Sequence, residues 1–290
     1  MKHISAYIDY LLKRFQILPL SLLVISDVLV IDRIVDVDNE GWWVKSMVFF
    51  MVLAYLFNNR IGDDKRDFEF DSIHYPDRAV QKGTIGLKQL ERLGNFSMAV
   101  MAILSIFFGW VSMAIVIPIW LFGYWAKRDF SLPESFKHKY YFVYNLLNML
   151  QMFVLQVFIY LSLLNSFEMN PMIWIHIAFV FALSLQVEVT RKIKPKKSIA
   201  KDLYSDRMGM NGAFVLWFGL GVICISLSSF LASRMGIDST MILIAAVVWL
   251  SAMLLGLAYY QNKKTATAEN LFWLAIIFSY VGQNLLLAYG

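Results

Sequence analysis

The sequence predicts an all-α, polytopic membrane protein with nine transmembrane helices, and three observations predict it. The first is composition: the chain is 59% hydrophobic and 16% charged, with a mean hydropathy of +0.59, whereas a soluble domain carries about a quarter charged residues. The second is that the apolar residues are gathered in blocks of roughly 20, the length a helix needs to cross a bilayer. These runs are too continuous for barrel strands, which alternate polar and apolar positions. The third is the distribution of Lys and Arg between the connections, which alternates when nine blocks are threaded in order.

The blocks cover residues 17–31, 42–57, 91–109, 111–126, 139–164, 171–187, 210–232, 238–260 and 268–288. The lead "MKHISAYIDYLLKRFQ" is amphipathic and mixed in charge. It runs into the first block without a small-residue cleavage site, and so reads as a cytoplasmic lead-in rather than a signal peptide. The third and fourth blocks are separated by little more than "GWVS" and predict a tight hairpin. Of the 26 Lys and Arg residues, all but Arg33, Lys45 and Arg234 fall on one side of the threading. That asymmetry predicts a cytoplasmic N-terminus and an outside C-terminus, in what reads as a bacterial inner membrane.

The same distribution accounts for the net charge of +5 as topology. No aromatic–basic repeat suggests a nucleic-acid groove. A single cysteine, Cys224, excludes a disulfide framework and a cysteine metal site.

Two inside connections, 58–90 and 188–209, are long, polar and dense in charge. The first opens with "DDKRDFEFD", in which Asp64, Asp67 and Asp71 stand three and four residues apart. On a helix this spacing stacks carboxylates on one face, where they repel unless a cation intervenes. Hard cations such as Mg²⁺ take oxygen ligands and are commonly shared between carboxylates and substrate phosphates. An acidic stripe at the end of a span therefore suits a diphosphate–Mg²⁺ site. The competing reading is a solvated helix face whose acids pair with Lys65 and Arg66. Further on, Arg78 and Lys82 could hold phosphate oxygens.

These residues resemble the UbiA superfamily of intramembrane prenyltransferases, which carries an N/D-D-x-x-D-x-x-x-D motif after its second helix. Asp63 stands where Asn is usual, and Asp64, Asp67 and Asp71 are the three aspartates. "YPDRAVQKGTI" (Tyr75 to Ile85) is similar to the family's Y-P-x-R-P-V-x-x-G segment, with Ala79 replacing proline. "NNRIGDDKRD" resembles a bacterial subgroup written R-I-x-D-E-x-K-D. The resemblance implies one domain spanning 1–290, with the helices around a central cavity capped by the two long inside loops. It implies catalytic Asp64, Asp67 and Asp71, and Mg²⁺ held by these with Asp63 and Glu188. It also implies an isoprenyl diphosphate whose ionisation yields an allylic carbocation. Arg60, Arg78, Lys82, Lys127, Arg128, Arg191 and Lys192 are the candidate diphosphate ligands.

The second family motif, D-x-x-D-x-x-x-D after the sixth helix, is replaced here by "EVTRKIKPKKSIAKDLYSDRMG". Glu188 can stand for the first acid, but Arg191 and Pro195 occupy the other positions. Asp202 and Asp206 lie further along. Arg191 and Lys192 either supply fixed positive charge in place of one metal ion or anchor a helix end. Tyr124, Lys127 and Arg128 in "GYWAKRDF" match the family's Tyr and basic pair loosely. Asn145, Asn148 and Gln151 recur at near-helical spacing on the fifth block and, with Tyr204, are candidates for the cavity lining. For these and for Asn95, Gln156, Gln186, Gln283 and Asn284, interhelical hydrogen bonding is the plainer role. His176 reads as a packed core residue, and Asp27 as either cavity-facing or near the outer surface.

The function this predicts is Mg²⁺-dependent transfer of an isoprenyl group from its diphosphate to a membrane-accessible acceptor. A membrane terpene cyclase using the same ionisation, and a non-catalytic binding or transport protein, are the alternatives. The partners are the diphosphate, an acceptor the sequence does not identify, and the lipid bilayer.

Overall fold

The computed structural model describes residues 2–35, 41–195, 203–263 and 265–290, and these form helices and connections without a strand. Each predicted block coincides with one long helix, and the blocks 91–109, 139–164 and 238–260 overrun theirs by one or two residues. In chain order the helices are α1 (Lys2–Asp9), α2 (Ile17–Val35), α3 (Gly41–Arg66), α4 (Phe68–His74), α5 (Leu87–Phe107), α6 (Trp110–Ala126), α7 (Glu134–Lys139), α8 (Tyr141–Leu164), α9 (Pro171–Arg191), α10 (Tyr204–Arg234), α11 (Ser239–Lys263) and α12 (Ala266–Tyr289). A short π-helical stretch, Tyr10–Arg14, follows α1, and a 3-10 turn, Asp129–Ser131, precedes α7. Among the described residues seven helices are long and apolar enough to cross a membrane: α3, α5 and α8 to α12. Of the other two predicted spans, α6 is 17 residues long, and α2 carries Asp27, Asp32 and Arg33 within its 19 residues.

Contacts divide the chain into two units, Met1–Val28 with Val35–Glu168, and Leu29–Ile34 with Met169–Gly290. In the first, α5 packs on α3 and α6, and α6 on α8. The predicted hairpin between α5 and α6 turns on Gly109, whose φ is +93°. A Cβ there would lie 2.7 Å from the Asn165 side chain, so both backbone conformation and space require glycine. Asn165 itself ends α8 in the left-handed conformation and accepts from the Val111 amide at 3.3 Å. Deeper in this unit, Ser162 donates to Ser112 at 2.8 Å and Gln156 to Asp27 at 2.6 Å. Interhelical bonds of this kind are worth about 0.6 kcal/mol each in a membrane protein, so they fix register more than they supply stability.

In the second unit α10 packs on α9, α11 and α12, and α11 on α12. Trp217 is fully buried and donates to the Thr190 hydroxyl at 2.8 Å. Ser228 donates to Gln283 at 2.8 Å. Asn284 and His176 are buried here as well. Trp217 with Thr190 and Ser228 with Gln283 thus satisfy one another across helices, which lowers the cost of polar groups in hydrocarbon. Gly209, with φ +73°, interrupts the helical backbone of α10 after its first turns. The seventh apolar block begins one residue later.

Candidate active site

The stretch 58–66, predicted as loop, continues α3 to Arg66. No proline or strained glycine stops it, and α4 resumes after one residue, Asp67 (φ −89°, ψ 5°). This break, together with the turn of about 100° between successive helical residues, divides the acidic motif into two faces instead of one stack.

Asp64 and Asp71 form the buried face, 2% and 3% exposed. Asp64 accepts from the Tyr10 hydroxyl at 2.6 Å, from Arg14 Nε at 2.9 Å and from Arg60 Nη2 at 2.7 Å. Asp71 accepts from Arg14 Nη2 at 3.1 Å and from Arg78. Arg14 thus bridges the two carboxylates from the N-terminal lead, and Arg78 stacks on the Tyr75 ring at 4.0 Å. Burial and then the Asp64 carboxylate push the Tyr10 phenol far above its ordinary range, which keeps it a proton donor. Burial and then repulsion from Arg60 lower the Arg14 guanidinium against the pull of Asp64.

Asp63 and Asp67 form the second face and are partly open to solvent. Arg66 donates to both at 3.1 Å, and its Nη1 reaches Asp129 at 3.2 Å. Lys65 pairs with Glu91. The competing sequence reading, acids paired with local basic residues, thus holds for Arg66 and not for Lys65.

Asp129 lies in an unusual turn. Asp129, Phe130 and Ser131 all have φ between +53° and +57°, a conformation costing an L-residue roughly 1–2 kcal/mol. The turn is held by Lys137, which donates to Asp129 at 2.6 Å, by Tyr144, which donates at 2.5 Å, and by the buried Phe130 ring against Phe122 and Trp125. Burial opposes the charge on Asp129, but the hydrogen bonds from Lys137 and Tyr144 outweigh it and hold the carboxyl below its usual range.

Immediately before this turn, Lys127 and Arg128 border a cavity of about 470 Å³, with Asn58, Gly62, Arg66, Asn95 and Tyr124 also on its wall. The Lys127 stem lies across Gly62, where a Cβ would meet Cγ at 2.5 Å. Burial, against the attraction of Asp63, lowers the Lys127 ammonium to about 8. Neither Lys127 nor Arg128 has a carboxylate partner among the described residues; Arg128 stacks on Tyr124 at 4.3 Å. Across the buried acid face a second cavity of about 580 Å³ is bordered by Arg14, Arg78 and Lys82. There Lys82 pairs with Asp77 at 3.0 Å.

In the second unit Glu188 is held by Arg191 at 3.0 Å and by Lys192 at 2.9 Å. Tyr204 is buried and its amide donates to the Lys192 carbonyl at 3.0 Å. Asp206 lies in the first turn of α10, and Asp202 falls outside the described residues. On α8, Asn145, Asn148 and Gln151 donate back to carbonyls of their own helix, and neither cavity above includes them. Sequence reasoning missed Tyr10, Arg14 and Asp129. The only signal for the first two was the amphipathic lead, which places Tyr10 and Arg14 one turn apart.

The donor chemistry of these acids suits a hard cation, but their arrangement does not. Each motif carboxylate already holds a guanidinium or ammonium. Among the described residues no three His, Cys, Asp or Glu side chains stand close enough to share a metal.

No family model and no curated protein sequence matches the chain. Solved structures do. A UbiA homolog from Aeropyrum pernix K1 superimposes with a TM-score of 0.66 at 10% identity, over 91% of this chain and 96% of that one. The chain has the UbiA fold. A second structure with which this UbiA fold is shared, that of digeranylgeranylglyceryl phosphate synthase, gives a TM-score of 0.58 at 18% identity over 97% and 99% of the two chains. With its apolar helices, the UbiA fold makes this an integral membrane protein of the helical class.

Proposed function

We propose that this chain is a prenyltransferase, moving an isoprenyl group from its diphosphate to a membrane-accessible acceptor. The observation that carries the reading is the 470 Å³ cavity on whose wall Lys127 and Arg128 stand as cations without carboxylate partners, beside the acidic motif. The shared fold with a digeranylgeranylglyceryl phosphate synthase supports the same class of substrate.

The reaction begins with heterolysis of the bond between the allylic carbon and the diphosphate oxygen. The electron pair leaves with the diphosphate, and the Lys127 ammonium and Arg128 guanidinium stabilise the charge that develops there. The resulting carbocation takes an electron pair from the acceptor, which then releases a proton. Asp64 and Asp71 act in this scheme by fixing Arg14, Arg60 and Arg78. Mg²⁺ belongs to this reading through the family resemblance alone; the cation-paired carboxylates do not pre-form its site, and the chain's own groups carry the chemistry. Residues 1–290 act as one domain of nine spans, with the motif end cytoplasmic.

The test is release of diphosphate and formation of a prenylated lipid when the purified protein meets radiolabelled geranyl, farnesyl or geranylgeranyl diphosphate with membrane extract. Turnover that survives both Asp64→Ala and Lys127→Gln would sink the assignment of the site. Product formed without extract would identify a cyclase. Diphosphate binding with no turnover under any condition would identify a binding protein.

A further inference from the structure

The first unit carries on its spans a group of polar atoms that no other described residue satisfies. On α3 the Tyr55 hydroxyl and both polar atoms of the Asn59 amide are buried without a hydrogen-bond partner. Tyr55 as a whole is 0% exposed. On α6 the Trp120 indole Nε1 is in the same state, and on α8 so is the Gln151 carbonyl Oε1.

Three helices bring these atoms to one level. Arg66 on α3 and Tyr144 on α8 both bind the Asp129 carboxylate, which sets the two helices side by side there. Asn59 lies seven residues before Arg66 and Gln151 seven after Tyr144, each about 10 Å further into its span. Seven residues are close to two turns, so each pair keeps one helix face. Tyr55 stands one turn beyond Asn59, with its hydroxyl near the Asn59 side chain. Gly123 on α6 makes room for that hydroxyl, since a Cβ there would stand 3.3 Å from it. Trp120 precedes Gly123 by one turn on the same side of α6.

Buried polar groups are nearly always hydrogen-bonded, and an orphan in hydrocarbon is costly to keep. Such atoms from three helices at one level suit the polar head of a ligand. The group is also neutral. Arg60, next to Asn59, turns to Asp64, and Asp63, one turn nearer the end of α3, is held by Arg66. Asn59, Tyr55 and Trp120 offer donors, while Asn59, Tyr55 and Gln151 offer acceptors. A hydroxyl uses both kinds. A carboxylate would meet the Gln151 oxygen with no donor to give it and would bury an unpaired charge.

Resting on the prenyltransferase reading above, we propose that Tyr55, Asn59, Trp120 and Gln151 hold the head of the acceptor. The acceptor is then a neutral hydroxyl-bearing molecule, a phenol or an alcohol, rather than a carboxylic acid. No bond is made or broken in this binding step.

The probes are tritiated 2-naphthol and 2-naphthoate, which share a ring system and differ in the head. Each is equilibrated with the full chain in nanodiscs and corrected for uptake by empty nanodiscs. Saturable 2-naphthol binding is expected, about tenfold or more tighter than that of 2-naphthoate. Tyr55→Phe and Asn59→Leu should each weaken it about fivefold. Their unfolding midpoints in SDS should hold or rise, because each change removes buried atoms that have no partner. A lowered midpoint with unchanged 2-naphthol binding would show a structural role and overturn the proposal. So would 2-naphthoate binding as tight as that of 2-naphthol, or no saturable 2-naphthol binding, which would leave only water in the site. Diphosphate release from radiolabelled farnesyl diphosphate by the same preparation, with membrane extract, reads the function separately. Release together with any of those three results sinks this proposal alone, whereas no release under any condition sinks the function and the acceptor role with it.

Discussion

Asp64 is the residue on which the buried half of the motif turns, because it accepts from Tyr10, Arg14 and Arg60 at once. Asp64→Asn leaves Arg60, 19% exposed, without its counter-ion and Arg14, 24% exposed, with Asp71 alone. Breaking a buried pair from one side costs about 3–5 kcal/mol, and less where a partner retains water. We expect a loss near the lower end, about 3 kcal/mol, read as a shifted unfolding midpoint in SDS titration of the detergent-solubilised protein. Lys127 gives a prediction in pH. Its ammonium titrates at about 8, lowered from 10.5, so the free protein loses this charge as pH rises through 8. kcat/KM reports the free enzyme, and we expect it to fall above pH 8, with Lys127→Arg moving that limb upward by more than a unit. Stability should run the other way. Between pH 8 and the ordinary lysine value the unfolded chain binds the proton and the folded chain does not, so stability rises with pH across that window. A kcat/KM profile flat from pH 7 to 9 would remove Lys127 from the site.

At the scale of elements, the turn at 129–131 and the break at Asp67 decide where charge is aimed. Ser131 is exposed and left-handed, so Ser131→Gly removes a Cβ penalty at the cost of some unfolded-state entropy. The net expectation is a gain of up to about 1 kcal/mol, measured in the same SDS titration. A loss would show that the serine side chain supports the turn. Gly62→Ala acts oppositely: it forces the Lys127 stem off α3, and we expect diphosphate affinity to fall about tenfold with an unfolding midpoint little changed. Equal affinity in the variant would mean that the stem has a second path into the cavity.

For the whole molecule the prediction concerns which face of the membrane carries the motif. The basic asymmetry predicts the cytoplasmic face. Cys224 is buried, so Cys224→Ser provides a silent background. On it, Asp77→Cys in the connection between α4 and α5 and Asp238→Cys between α10 and α11 should react with a membrane-impermeant maleimide from opposite sides. Labelling of both from the same side would break the nine-span threading. Among the described residues seven helices meet the length and hydropathy of a span outright, so the nine-span threading turns on α2 and α6.

Hydrophobic blocks determined that the chain is helical and where its long helices lie, because apolar length alone separates a membrane span from a loop. The motif spacing likewise placed the acids at the end of α3. Local sequence could not reveal that Asp67 breaks the stack, since a cap and a continuing helix differ only by one residue's backbone angles. Nor could it bring Arg14 to Asp64, 50 residues away, because a charged lead reads the same whether it stays in solvent or folds onto an acid. Lys127 shows the division within one side chain. Its charge was legible in "GYWAKRDF", but its lowered proton affinity depends on burial over Gly62. The sequence by itself determined which charges exist near the membrane surface. Tertiary structure alone decided which of them cancel, because pairing depends on distance and desolvation rather than on order along the chain.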